Sequence, residues 1–282
     1  MYKIGLSTCG SLPSEALFEA CAKVGIACVE VSPAAEDYDK LDYAGMKSWA
    51  AQYGVSLWSY HLPFCPFEKI EISTKSASAQ TIEYFKELIR KGTDIGIDKF
   101  VIHPSGEPIE ESDRAERMKW AKDGLHTLAE FADQNGARIA VEDLPRTCLG
   151  RDSKDILELL EAHDKLCVCF DTNHLLAEEP VEFIRRIGAR IATLHVSDYD
   201  FVNERHWLPG EGKLDWQALL AALQEVGYAG AFLYELRFTC PNTILRDRDL
   251  TCEDIVRNAG ELFAGQTPTV FSRPKENLGY WG

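Results

Sequence analysis

The sequence predicts an α/β protein built as a single (β/α)8 TIM barrel, and three observations carry that prediction. A helical segment, a glycine and a short β-branched or apolar run recur in that order six times along 282 residues. A seventh helix-to-strand junction and an N-terminal strand bring the strands to eight. No Pro-, Ser- or Gly-rich linker divides the chain, so the repeat is expected to close into one catalytic domain over residues 1–264. Residues 265–282, with Phe271, Tyr280 and Trp281, fall outside the repeat and are expected to pack on the barrel or on a second subunit of a homo-oligomer.

The opening KIGLST is the first strand. The six glycine-marked copies are AKVG-IACVEV ending at Val31, AQYG-VSLWSY at Tyr60, TDIG-IDKFVI at Ile102, DQNG-ARIAV at Val141, RRIG-ARIATL at Leu194 and QEVG-YAGAFLY at Tyr234. EAHD-KLCVCF, ending at Phe170, has His163 and Asp164 where the others have glycine. Glycine suits these junctions because a helix commonly ends in a left-handed residue, a conformation that a Cβ disfavours. The intervening segments read as helices. Leu17, Ala20, Cys21 and Val24 recur at helical spacing after Ser14, an N-cap residue; Met118, Ala121, Leu125, Leu128 and Ala132 repeat the pattern, and Ser153 precedes Ile156, Leu157 and Leu160 in the same way. Strands alternating with helices imply parallel pairing through crossover helices. An open doubly wound sheet would show a glycine-rich phosphate loop after its first strand, and Ser7-Thr8-Cys9-Gly10-Ser11 lacks that spacing.

Composition narrows the function. With 45% hydrophobic and 27% charged residues the chain has an ordinary globular balance. Its net charge of −15 repels phosphate backbones and anionic membranes, so no nucleic-acid partner is expected. No apolar run approaches the roughly 18 residues of a membrane span, and MYKIGLSTCG reads as a strand rather than a signal peptide, so a soluble cytoplasmic protein is expected. The nine cysteines are scattered without a CxxC pair and are expected to be reduced and structural.

Barrel enzymes carry their chemistry at the C-terminal strand ends. Here those ends deliver His61, His103, Glu142, Asp171, His195 and Glu235 in turn, with His174 and His206 just beyond two of them. A lone carboxylate there is often only a helix cap, and a lone histidine only a hydrogen-bonded side chain. Together the carboxylates would repel one another at one barrel mouth unless a cation neutralised them. Glu142, Asp171, His195 and Glu235 form the expected metal set. Oxygen and imidazole donors without thiolate favour one divalent ion, manganese first, with magnesium, cobalt and zinc as alternatives. His126 and His163 lie within or near helix ends and are expected to be structural.

In this order the motifs resemble the xylose isomerase-like TIM barrel superfamily, which includes sugar isomerases and epimerases, inosose dehydratase-type proteins and endonuclease IV. The matching pieces are His103-Pro104, Glu142-Asp143-Leu144-Pro145, Phe170-Asp171-Thr172-Asn173-His174, Leu194-His195-Val196-Ser197-Asp198, His206 to Gly212 with Asp215-Trp216, and Tyr234-Glu235-Leu236-Arg237. The resemblance implies that Glu142, Asp171, His195 and Glu235 bind the metal, and that Glu142 and Glu235 also exchange protons with substrate carbon through an enediolate. The implied reaction is isomerisation or epimerisation of a ketose, aldose or related polyol, a small-molecule carbohydrate. His174 is expected to hydrogen-bond a substrate hydroxyl or to orient Asp171.

His61, His103, His206 and Arg237 complete the expected substrate-binding set. The Pro209-Gly210-Glu211-Gly212 bend would carry His206 to the mouth, and His61 to Phe67 would form an apolar lid. Arg146, Arg151, Arg205 and Arg237 are candidates for contacting an anionic or hydroxylated substrate, but no clustered phosphate clamp is visible, so an unphosphorylated one is expected. Trp58, Trp207 and Trp216 are expected to serve packing. The alternatives are a cyclitol dehydratase or sugar lyase on the same barrel, and an endonuclease IV-like phosphodiesterase. For the latter, His61, His103, His174, Glu204 and His206 fall in positions comparable to extra zinc ligands, while Glu204 replaces that family's aspartate.

Overall fold

A computed structural model describes residues 2–64, 70–75 and 78–275. Eight parallel strands alternate with helices as the repeat requires: β1 (Lys3–Ser7), β2 (Cys28–Val31), β3 (Ser56–His61), β4 (Lys99–Ile102), β5 (Arg138–Glu142), β6 (Cys167–Asp171), β7 (Ile191–His195) and β8 (Ala231–Tyr234). Their hydrogen-bonded order is β7-β6-β5-β4-β3-β2-β1-β8. The seam between β7 and β8 closes just past the strand ends, where the Val196 amide donates to Leu233 O at 2.8 Å and the Glu235 amide to Val196 O at 3.1 Å. This is a TIM barrel. The helices are α1 (Glu15–Val24), α2 (Tyr43–Tyr53), α3 (Ser78–Asp94), α4 (Arg114–Gln134), α5 (Ser153–Leu160), α6 (Pro180–Ile187), α7 (Trp216–Glu225) and α8 (Cys252–Phe263). The junction glycines behave as expected: Gly25, at φ 90°, donates its amide to Cys21 O and Ala22 O and ends α1.

Successive side chains of a strand point to opposite faces, and the barrel sorts them by size. Outward residues such as Tyr60, Phe100, Ile139, Phe170, Leu194 and Phe232 join the large cluster under the helices. Val101, Ala140, Cys167 and Cys169 form one inner cluster, and Cys28, Ala231 and Leu233 another, partly roofed by Trp58. Ala140, Cys169 and Leu233 each stand two residues before Glu142, Asp171 and Glu235, so the same phase that fills the barrel floor aims those carboxylates into its mouth. No helix among the described residues is long and apolar enough to cross a membrane.

Two local readings change. Asp152, not Ser153, caps α5 by accepting the Asp155 amide at 2.9 Å, and Ser153 bonds Glu178 instead. Leu157 is 43% exposed, because the apolar stripe runs through Ile156, Leu159 and Leu160. Beyond α8, β10 (Ser272–Pro274) pairs antiparallel with β9 (Ile244–Arg246), and Phe271 lies against the guanidinium groups of Arg248 and Arg257. Tyr280 and Trp281 lie outside the described residues. The eight described cysteines are free thiols.

Phe232, fully buried on β8, meets Trp216, Tyr234 and Phe263 at ring centroid distances of 6.0, 5.5 and 5.3 Å. Phe232→Ala should therefore cost about 3–5 kcal/mol in a chemical denaturation experiment, because the ring's transfer energy and the cavity left beside the seam add.

Candidate functional site

Glu142, Asp171, His195 and Glu235 each offer a ligand atom within 4.8 Å of the other three. All are buried, at 1%, 0%, 0% and 9% exposure. The pivot is His195. Its Nδ1 stands 2.9 Å from Glu142 Oε1, 3.4 Å from Glu235 Oε2 and 4.0 Å from Asp171 Oδ2. On the opposite side of the ring, Nε2 is 3.0 Å from Glu30 Oε1, and Glu30 is held in turn by the Ser59 hydroxyl at 2.6 Å. A carboxylate that accepts a hydrogen bond from Nε2–H fixes the tautomer and leaves the Nδ1 lone pair facing the three other carboxylates. Lone pairs that face one another need a proton or a cation between them.

The titration behaviour follows from this crowding. Burial pushes the Glu235 carboxyl up to about 7, with Glu142 and Asp171 adding to the rise, and burial likewise raises Asp171. Glu142 also suffers from burial, but the His195 and His103 imidazoles hold it well below the usual carboxylate range. His195 resists its own burial because Cys169, Glu235, Glu30 and Glu142 lift it well above an ordinary histidine. Asp171 Oδ1 accepts the Asn173 amide at 2.6 Å, while Oδ2 has no hydrogen-bond partner among the described residues. An orphaned buried carboxylate oxygen within a set of oxygen and imidazole donors is what a divalent cation fits.

Two further groups adjoin this one. Glu142 turns Oε2 toward His61 Nε2 and His103 Nε2, both at 3.1 Å, so this glutamate bridges a second ligand set. His174, Glu204 and His206 make a third: His174 Nε2 is 3.2 Å and His206 Nε2 3.9 Å from Glu204 Oε2. His174 Nδ1 lies 2.8 Å from the Asp143 carbonyl oxygen. Phe64 covers His103 with a stacked ring at 4.3 Å and meets the edge of His61 at 5.3 Å, whereas residues 65–67 of the expected lid lie outside the described residues.

The loop after β7 is built to present His206. Asp198 accepts the Gly210 and Leu214 amides and the Trp216 indole N–H, and Glu211 pairs with Arg246. Gly212 leaves no room for a side chain, since a Cβ would stand 2.2 Å from Asp198 Oδ1. His206 adopts a left-handed φ of 51°, unusual for a residue with a Cβ. Asn173 Oδ1 holds that turn by accepting the Arg205 amide at 2.8 Å and the His206 amide at 3.2 Å.

Above the carboxylates opens a cavity of about 740 Å³ whose lining includes Glu235, His206, Arg237, Tyr38 and Phe64. Of the expected substrate-binding residues, His206 and Arg237 line it. His61, His103 and His174 sit lower, turned toward Glu142 and Glu204. Three of the four candidate arginines are engaged by protein: Arg146 by Glu107 and Glu204, Arg151 by Glu111, and Arg205 by Asp200. The three tryptophans spend their indole N–H groups on Thr193, Thr243 and Asp198. His126 on α4 and His163 in the turn after α5 face each other, with ring centroids 5.5 Å apart.

Glu30 and Asn173 escaped the sequence reading. Glu30 carried a signal, since a carboxylate inside the apolar strand CVEV is buried in a barrel and must find a partner. Asn173 carried none, because its partners are loop amides more than thirty residues away.

The model of a protein family described as xylose isomerase-like TIM barrel matches residues 18–250. The chain is 27% identical over 184 residues to an uncharacterized protein of Methanocaldococcus jannaschii, a match covering 62% of each chain. It is 23% identical over 235 residues to the D-psicose 3-epimerase of Agrobacterium fabrum, covering 77% of each. A probable endonuclease 4 of Acholeplasma laidlawii is 30% identical over 158 residues, covering 49% of this chain and 53% of that one. Among solved structures, a D-psicose 3-epimerase crystallised in the presence of D-fructose superposes with a TM-score of 0.75 at 20% identity, over 93% of this chain and 97% of the other.

Glu30→Gln keeps the shape of the site but removes the charge that orients His195. It should weaken divalent-metal binding by about tenfold or more in a competition titration against a coloured chelator, while the far-ultraviolet circular dichroism is unchanged.

Proposed function

This chain belongs to the xylose isomerase-like TIM barrel family, and on that premise we propose that it is a divalent-metal-dependent sugar isomerase or epimerase working by proton abstraction. The observation that carries the reading is the convergence of Glu142, Asp171 and Glu235 on Nδ1 of His195. These four residues would hold one divalent ion, manganese first, which when bound supplies electrostatic stabilisation for negative charge developing on two vicinal oxygens of a ketose, aldose or related polyol.

The remaining work falls to side chains of this chain. Of Glu142 and Glu235, one accepts the C–H proton while the bond pair moves toward the adjacent carbonyl and leaves an enediolate. The other, or the same group, then returns a proton. Return to the opposite face of the same carbon epimerises, and return to the neighbouring carbon, with the hydroxyl proton passing from one vicinal oxygen to the other, isomerises. His206 and Arg237 contact the substrate from the cavity wall. His174, anchored on Asp143 and Glu204, steadies Asp171. Phe64 over His103 keeps water from the Glu142 side of the site. The family premise and the A. fabrum relative, matched over 77% of its length, support this reading. A dehydratase or lyase would share the first proton abstraction and differ in what leaves afterwards.

One observation favours a second reading. The two ligand groups that share Glu142, with the His174, Glu204 and His206 group beside them, would suit a multinuclear phosphodiesterase, the class to which the A. laidlawii relative's name points. The net charge of −15 opposes it, since nucleic-acid binding draws on phosphate neutralisation.

Metal analysis of protein purified without chelator separates the two readings. About one divalent ion per chain is expected, and a value near three zinc ions would transfer the assignment to the phosphodiesterase. In heavy water, Glu142→Gln and Glu235→Gln should each slow deuterium incorporation into a substrate ketose by at least about a hundredfold with the fold intact. Undiminished incorporation in both variants would refute the two-glutamate scheme.

A further inference from the structure

A second cavity, of about 500 Å³, lies between the turn after β1 and the segment after β8. Cys9, Gly10, Arg237 and Thr239 line both it and the mouth, so the two spaces share a wall. Among the described residues lining the second cavity, Arg237 is the sole charged one, although the chain carries 45 acidic residues against 30 basic. Glu235 and Glu36 line the mouth and not this space.

Arg237 makes no hydrogen bond or ion pair among the described residues, in contrast to Arg146, Arg151 and Arg205. The hydroxyls of Ser11 and Thr239 make no hydrogen bond among the described residues, while those of Ser7, Thr8 and Ser14 accept backbone amides and keep their own hydrogens to donate. Gly10, at φ 84°, lies beside the guanidinium, where a Cβ would stand in van der Waals contact with Arg237 Nη2 at 3.4 Å. A guanidinium has five donors and no acceptor, and its fork matches the paired oxygens of a carboxylate or phosphate.

We infer that this annex receives an oxyanion carried by the substrate at the end remote from its reacting carbon, with Arg237 as the receptor. The inference rests on the polyol reading of the mouth, and a phosphate as the oxyanion would revise the expectation of an unphosphorylated substrate. It also sets the direction of binding. An anionic tail is repelled from the Glu235 side and accepted only beside Arg237, so the hydroxylated end is left over the carboxylates.

Calorimetric titration of the metal-loaded protein with D-fructose, D-fructose 6-phosphate, a ketohexuronate and inorganic phosphate tests this. At least one anionic sugar should bind about tenfold or more tighter than D-fructose, and Arg237→Gln should erase most of that ratio while metal content and melting temperature hold. Gain with the phosphate ester identifies a phosphorylated substrate, and gain with the ketohexuronate a carboxylated one. A ratio near one for both sugars, or a ratio unchanged in Arg237→Gln, overturns the proposal. If inorganic phosphate alone binds in an Arg237-dependent manner while no sugar binds, the annex stands and the polyol reading of the mouth falls.

Discussion

One buried imidazole held between carboxylates on both of its nitrogens governs this molecule. Glu30 occupies Nε2 of His195, and Glu142, Asp171 and Glu235 crowd toward Nδ1. Removing a carboxylate from water costs several kcal/mol even after the protein relaxes, and four around one ring are tolerable only if positive charge sits among them. The imidazole supplies part of that charge when protonated. A divalent ion supplies more, and it also makes use of the Asp171 oxygen that has no hydrogen-bond partner among the described residues.

That arrangement depends on what lies beneath it. Small inward residues such as Ala140, Cys169 and Ala231 close the barrel floor, while the large aromatic side chains of the same strands point outward into the helix layer. β5 and β6 each place a small side chain, Ala140 or Cys169, inward at one level and a carboxylate inward two residues later. Packing and chemistry thus share one periodicity, and a slip of one residue in any strand would send its functional group into the helices.

The loops add what strands cannot provide. The bend from Asp198 to Asp215 is rigid because Asp198 satisfies several donors, Glu211 pairs with a buried arginine and Gly212 admits no side chain. His206 is thereby fixed in a left-handed conformation at the cavity wall, clamped by Asn173 from the neighbouring loop. Strain of this kind persists only where its surroundings over-determine it. At the rim, Arg146 pins Glu204, and Arg237 lines the mouth with no ion pair among the described residues.

Much of this was legible in the linear order of residues. The glycine punctuation and the eight apolar runs determined the barrel, because left-handed helix ends and strand alternation are local properties of the chain. The strand-terminal positions of Glu142, Asp171, His195 and Glu235 followed from the same count. The helix start at Asp152 rather than Ser153 was a competition between two adjacent capping residues, decided by the bond from Ser153 to Glu178. Only the tertiary structure decided that Glu30 reaches His195 across 165 residues of sequence, that Asn173 holds the His206 turn, and which arginines are already paired. Those contacts join side chains whose separation along the chain bears no relation to their separation in space, so they came into being only when the sheet closed on itself.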